Sequence, residues 1–276
     1  MSLPGPNVLL VGATGVGKTH AIRSLLDAGI EQVFVVFTEP GMEVLSDLPE
    51  DSVHWHYIPP ANADWPKMIA SARKINTMNF EALSKLSEIN KSDYGQFIEL
   101  LETLHNFKCD RTGEEFGSVT KFGTKRALVV DSLSGLNIMA MDLVVGSKPT
   151  KSLSDWGVAM DNLERLVQKL CVDTHCTFVL TAHLEREVDE VQGGVQLMAS
   201  TLGRKLAPRM PRFFSDTIHC QRKGTEFSWS TASINVDLKA RNLPLATGLE
   251  PSFEQIVDNW KSQGGVLEHF TIPEED

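Results

Sequence analysis

The chain has 276 residues, 42% of them hydrophobic and 22% charged, with a formal net charge of −10. That composition fits a folded globular protein, and the acidic balance argues against coating nucleic acid by bulk charge, although local basic grooves stay open. No run is long enough to span a bilayer, and "MSLPGPN" lacks a basic-then-apolar signal pattern, so a soluble, cytoplasmic protein is expected.

In chain order, Asn7 to Val11 reads as a strand, followed by a Gly-rich loop and a helix from Lys18 to Ala28. Ile22, Leu25 and Leu26 share one face of that helix, and Gly29 stops it. The apolar run Val33 to Phe37 is a second strand, which completes a β-α-β unit with parallel pairing expected. Residues 55–125 read as a helical insertion or layer built from "DWPKMIASARKIN", "NFEALSKLSEIN" and "SDYGQFIELLETLHNF". In the last of these Ser92 is the expected N-cap, and Phe97, Leu100, Leu101 and Leu104 line one face. "KCDRTGEEFGSVTKFG" follows as a charged turn or short hairpin.

Ala127 to Val130 returns to the sheet and ends at Asp131. "SDWGVAMDNLERLVQKL" is a helix capped by Ser154, with Trp156, Met160, Leu163 and Val167 facing inward. "CTFVLTAH" is a buried strand ending at His183, and the polar stretch 184–208 has the composition of a mobile loop. "FFSDTIHCQRKGTEFSWSTAS" reads as two strands around a "KGTE" turn. No repeat or linker divides the chain, so a single domain over 1–276 is expected, with an α/β fold and a mainly parallel sheet. The four cysteines are scattered; "CVDTHC" has no second Cys/His pair to complete a zinc site, and structural or incidental thiols are expected.

"GATGVGKT" matches G-x-x-x-x-G-K-[ST] over Gly12, Ala13, Thr14, Gly15, Val16, Gly17, Lys18 and Thr19. Glycines let backbone N–H groups wrap phosphate oxygens, and the following helix N-terminus adds a favourable dipole. Lys18 is expected to reach the β- and γ-phosphates of ATP, and Thr19 to hold Mg²⁺. Asp131, at the end of the apolar strand "ALVVD", is the expected second carboxylate-side partner of that Mg²⁺. Glu39 ends the strand after the P-loop helix, and ligands bind outside the carboxyl ends of parallel strands. It is therefore the candidate general base for the attacking water, with Pro40 and Gly41 turning the chain away from the site.

Taken together, "GATGVGKT", "VVFTEPG", "LVVDSLSG" and "FVLTAH" in this order resemble the RecA/RadA/DnaB superfamily of P-loop ATPases. The resemblance implies that His183 senses the γ-phosphate and orders the loop 184–202. It implies also that the pair in "LKARN", Lys239 and Arg241, reaches the nucleotide of a neighbouring subunit, and so that the chain is a homo-oligomer. The positional equivalents of the family's DNA-facing loops carry Lys148, Lys151, Arg204 and Lys205 as candidate phosphate contacts.

More closely, "RALVVDSLSGLNIMAM", "DWGVAM", "FVLTAHLERE" and "LGRKLAP" are similar to short ATP-binding proteins of bacteriophages, some of which resemble core-only recombinases. That similarity implies DNA-dependent ATP hydrolysis in single-stranded DNA annealing or recombination, in the host cytoplasm, alongside a single-strand DNA-binding protein. The P-loop begins at Gly12, so no polymerisation segment is expected ahead of the core. The same core serves two alternatives: a DNA helicase or translocase motor, and a nucleotide-gated regulatory module of the KaiC-like kind whose turnover is indifferent to DNA.

Overall fold

The computed structural model describes residues 3–60, 65–79, 81–82, 94–146, 151–188, 195–203, 205–233 and 235–270. Its centre is a seven-stranded sheet with strand order β3-β2-β4-β5-β1-β8-β9. The strands are β1 (Asn7–Val11), β2 (Gln32–Phe37), β3 (Val53–Tyr57), β4 (Arg126–Asp131), β5 (Thr177–Ala182), β8 (Asp216–Lys223) and β9 (Glu226–Ser230). All neighbours are parallel except the β8–β9 hairpin. With helices on both faces, this is the RecA-like P-loop NTPase architecture expected from the motifs.

Parallel strands covered on both faces read as continuous apolar runs, and alternate residues separate into two cores. Leu9, Phe34, Val36, Leu128, Val130, Phe178 and Leu180 belong to one. Val8, Leu10, Val33, Val35, Val129, Val179 and Ile218 belong to the other. The first core is covered by α4 (Gln96–His105), α5 (Leu133–Val145) and α6 (Leu153–Asp173). The second is covered by Ile22 and Leu25 from the P-loop side and by Ile256, Val257 and Trp260 from α7 (Glu254–Ser262).

Several local expectations are corrected. The helix after the P-loop is split into α1 (Lys18–Ala21) and α2 (Ser24–Asp27). The backbone tightens there to three-residue hydrogen bonds, Ile22 N–H to Thr19 and Leu25 N–H to Ile22, and the Ser24 hydroxyl donates to the Ala21 carbonyl. The segment 55–125 is not helical throughout: it opens inside β3, which pairs with β2 at the sheet edge, and α3 (Trp65–Asn76) and α4 follow. The 108–116 turn covers that edge, with Asp110 accepting from the Tyr57 N–H and Arg111 lying over the Trp55 ring. On α4, Phe97, Leu100 and Leu104 are buried but Leu101 points outward. Helix α6 is capped by Ser152, not Ser154, in a capping box with Asp155. The stretch 184–208 contains a two-stranded antiparallel hairpin, β6 (Leu184–Val188) with β7 (Val195–Ala199), where only mobile loop was expected. Most of the helix expected over 79–90, and its neighbour Ser92, lie outside the described residues. Among the described residues no helix is long and apolar enough to cross a membrane.

Helix α5 was not apparent in the sequence, because it is apolar nearly all round and so shows no single stripe. It packs close to the end of β2 at Gly135, where a Cβ would lie 2.2 Å from Thr38 Oγ1. Gly135→Ala should therefore force the two elements apart and destabilise the fold by about 1–3 kcal/mol, read as a lower midpoint in urea denaturation.

Candidate nucleotide site

The strand register gathers the chemistry at one edge. Phe37 pairs with Asp131 and Val11 pairs with Ala182, so β1, β2, β4 and β5 end together. Beyond those ends a cleft of about 470 Å³ is lined by Thr14, Gly15, Gly17, Lys18 and Thr19 of the P-loop and by His20, Glu39, Pro40, Val44, Asp131, His183 and Phe227.

The P-loop is seated tightly. The Gly12 N–H donates to the Ala182 carbonyl at 3.1 Å, and a Cβ at Gly12 would come within 2.6 Å of the Cys220 carbonyl oxygen. Gly15 and Gly17 take the left-handed backbone, with φ of 75° and 84°. Among the described residues, no protein acceptor takes the N–H groups of residues 14–19. These are unsatisfied donors at a helix start, where an anion is stabilised. Lys18 is buried, and its ammonium donates to the Gly12 and Ala13 carbonyls at 2.9 and 2.8 Å. Burial lowers its pKa, opposed by the nearby Cys220, Asp131 and Glu39. Burial also pushes the Cys220 thiol up to about 12.

Asp131 is nearly buried between two hydroxyls. Thr19 Oγ1 donates to its Oδ2 at 2.6 Å, and Thr181 Oγ1 donates to its Oδ1. A threonine hydroxyl and a carboxylate this close are hard oxygen donors of the kind Mg²⁺ prefers, so the residues present fit that ion. Glu39 lies across the cleft: the Ser132 hydroxyl donates to its Oε2 at 2.9 Å, and His183 Nε2 is 3.7 Å from the same oxygen. The residue before it, Thr38, is bonded to both sides of Ser132, accepting from its N–H at 2.9 Å and donating to its carbonyl at 2.8 Å. The carboxyl ends of β2 and β4 are thus tied to one another. His183 is also the root of the β6–β7 hairpin, since Ser200 N–H returns to its carbonyl at 2.7 Å.

The other expected residues lie elsewhere. Lys239 and Arg241 are not in this cleft. Lys239 bridges to Thr217, and the Arg241 N–H donates to Asp216, which pairs with Val8 near the start of β1. They therefore sit toward the opposite edge of the sheet from the chain's own P-loop. Arg241 is exposed; the Lys239 ammonium donates to the Phe214 carbonyl at 2.6 Å, and burial lowers its pKa. Lys151 and Lys205 are exposed, and Lys151 lies 5.6 Å from the Trp156 ring centre. Gly203, two residues before Lys205, approaches Met160 of α6, one turn from Trp156. Lys148 and Arg204 lie outside the described residues.

Sequence reasoning missed Ser132, Thr181 and Phe227. Thr181 was discoverable as the one polar residue inside "FVLTA". Phe227 was not: it reaches the P-loop only because the β8–β9 hairpin folds its ring onto Gly17, where a Cβ would be 3.0 Å away.

A family model described as an AAA domain matches residues 5–242. No curated protein matches the chain. Among solved structures, the crystal structure of the RadB recombinase is similar with a TM-score of 0.36 and 13% identity, covering 90% of this chain and 86% of that one.

The buried Asp216 carboxylate holds the "LKARN" segment through the Arg241 and Asn242 N–H groups and the Asn242 amide. Asp216→Ala strands these donors and should cost about 3 kcal/mol. It should also accelerate tryptic cleavage after Lys239 or Arg241, followed by mass spectrometry.

Proposed function

The chain belongs to the AAA domain family, and from that premise we propose that it binds and hydrolyses ATP and acts on single-stranded DNA in recombination or annealing. The observation that carries the enzymatic part is the convergence on one cleft of Lys18 and Thr19 from the start of α1, Asp131 from the end of β4 and Glu39 from just beyond β2. The free N–H groups of the P-loop bind the phosphates, and Lys18 leaves its two loop carbonyls for them. Thr19 and Asp131 would hold Mg²⁺, which would neutralise charge on the phosphate oxygens. Glu39 orients water and accepts its proton. His183, between Glu39 and the hairpin root, passes the nucleotide state to β6–β7.

Lys239 and Arg241 complete a neighbouring subunit's site in a homo-oligomer; their distance from the chain's own P-loop supports this, and Lys239 must first release the Phe214 carbonyl. Lys151 and Lys205 contact the DNA backbone, which is supported by their exposure. Lys148 and Arg204 are proposed to join them, and a single-strand DNA-binding protein to work alongside, in the host cytoplasm of a phage-encoded protein.

Steady-state ATP hydrolysis with and without single-stranded DNA tests this reading. Glu39→Gln should lose about a hundredfold or more of the turnover while binding a fluorescent ATP analogue normally. The double variant Lys151→Glu, Lys205→Glu should abolish stimulation by DNA, and in the unsubstituted protein that stimulation should fall steeply with added salt. Hydrolysis indifferent to DNA would put the nucleotide-gated alternative first, and strand displacement on a tailed duplex would favour the helicase.

A further inference from the structure

Ser132 has no part in the family-derived roles, yet it sits in the middle of the site. Its hydroxyl is almost wholly buried and makes two contacts at once. It donates to Glu39 Oε2 at 2.9 Å, and it accepts the Ser134 N–H at 3.3 Å as the N-cap of α5. One proton and one lone pair are committed in opposite directions, so the hydroxyl cannot turn away from Glu39 without giving up the helix cap. The backbone of Ser132 is held in turn by Thr38 from both sides, and Thr38 immediately precedes Glu39. The loop formed by Thr38, Glu39 and Ser132 is closed and rigid.

From this we infer that Ser132 is a positioning residue for Glu39: it anchors Oε2 and leaves Oε1 to face the attacking water. Among the described residues Oε1 takes no hydrogen bond, while both close contacts of the carboxylate, Ser132 and His183, fall on Oε2. A carboxylate at a strand end has free rotation about its side-chain bonds unless one oxygen is fixed, and a misplacement near 1 Å costs on the order of a hundredfold in rate. The anchor also makes Glu39 answer to α5. On that helix the Asn137 amide donates to the Ser200 carbonyl and accepts the Leu202 N–H, so the same rigid body touches the base of the β6–β7 hairpin.

This inference rests on Glu39 being the base, and the test separates the two. Ser132→Gly removes the hydroxyl but keeps a residue that caps helices nearly as well as serine. Ser132→Thr keeps the hydroxyl. For each, together with Glu39→Gln, kcat, KM for ATP and the thermal midpoint are measured. Ser132→Gly should lower kcat about tenfold to a hundredfold with KM and the midpoint little changed, and Ser132→Thr should recover most of it. Wild-type or faster turnover in Ser132→Gly, with Glu39→Gln inactive, would overturn the positioning role and leave the base intact. Loss of ATP binding and of thermal stability in both serine variants would also overturn it, in favour of a purely structural cap. Full turnover in Glu39→Gln would remove the base itself.

Discussion

The carboxylate of Asp131 is the interaction on which the site depends. The sheet places β5 between β4 and β1, so the carboxylate at the end of β4 must act across an intervening strand to reach the P-loop. A buried carboxylate without partners would cost several kcal/mol. Thr181 on the intervening strand and Thr19 on the P-loop each donate a hydroxyl to it, and such charge-assisted bonds are the strong ones. The same two bonds fix the P-loop against the sheet and leave a carboxylate–hydroxyl pair where the proposed Mg²⁺ would be held. Lys18, buried nearby, offsets part of the negative charge while no phosphate is present.

Around that point the fold divides its labour between the two edges of the sheet. The carboxyl edge holds the P-loop, Asp131, Glu39 and His183, because parallel strands deliver their ends to one side. Toward the other edge lies the "LKARN" segment, pinned by the buried Asp216. Each edge is built from side chains whose hydrogen bonds run back to a neighbouring strand or helix. Helix α5 extends this order outward from Ser132 to Asn137 and so to the hairpin root.

Much of this was legible in the residues. The short continuous apolar runs before Glu39, Asp131 and His183, bounded by turn residues, read as strands buried on both faces, and the polar residues that follow them mark the candidate site edge. The P-loop announces its own turn by glycine spacing. What was not legible has physical causes. Helix α5 is apolar on nearly all sides and shows no single apolar stripe. The strand β3, "VHWHY", mixes histidine and aromatics at a sheet edge and reads poorly as either element. The β6–β7 hairpin has polar strands that follow directly from β5. Ser132 and Phe227 gain their places from tertiary contacts that no local pattern contains.

The most direct test of the central claim is calorimetric titration of ATP, with and without Mg²⁺, into the unsubstituted protein and Asp131→Asn. The substitution preserves shape but removes the charge that would hold the cation. The account predicts that Mg²⁺ tightens ATP binding in the unsubstituted protein and leaves it unchanged in Asp131→Asn. Equal tightening in both would contradict it, and the Thr19–Asp131–Thr181 chain would then be scaffold for the P-loop and not its metal site.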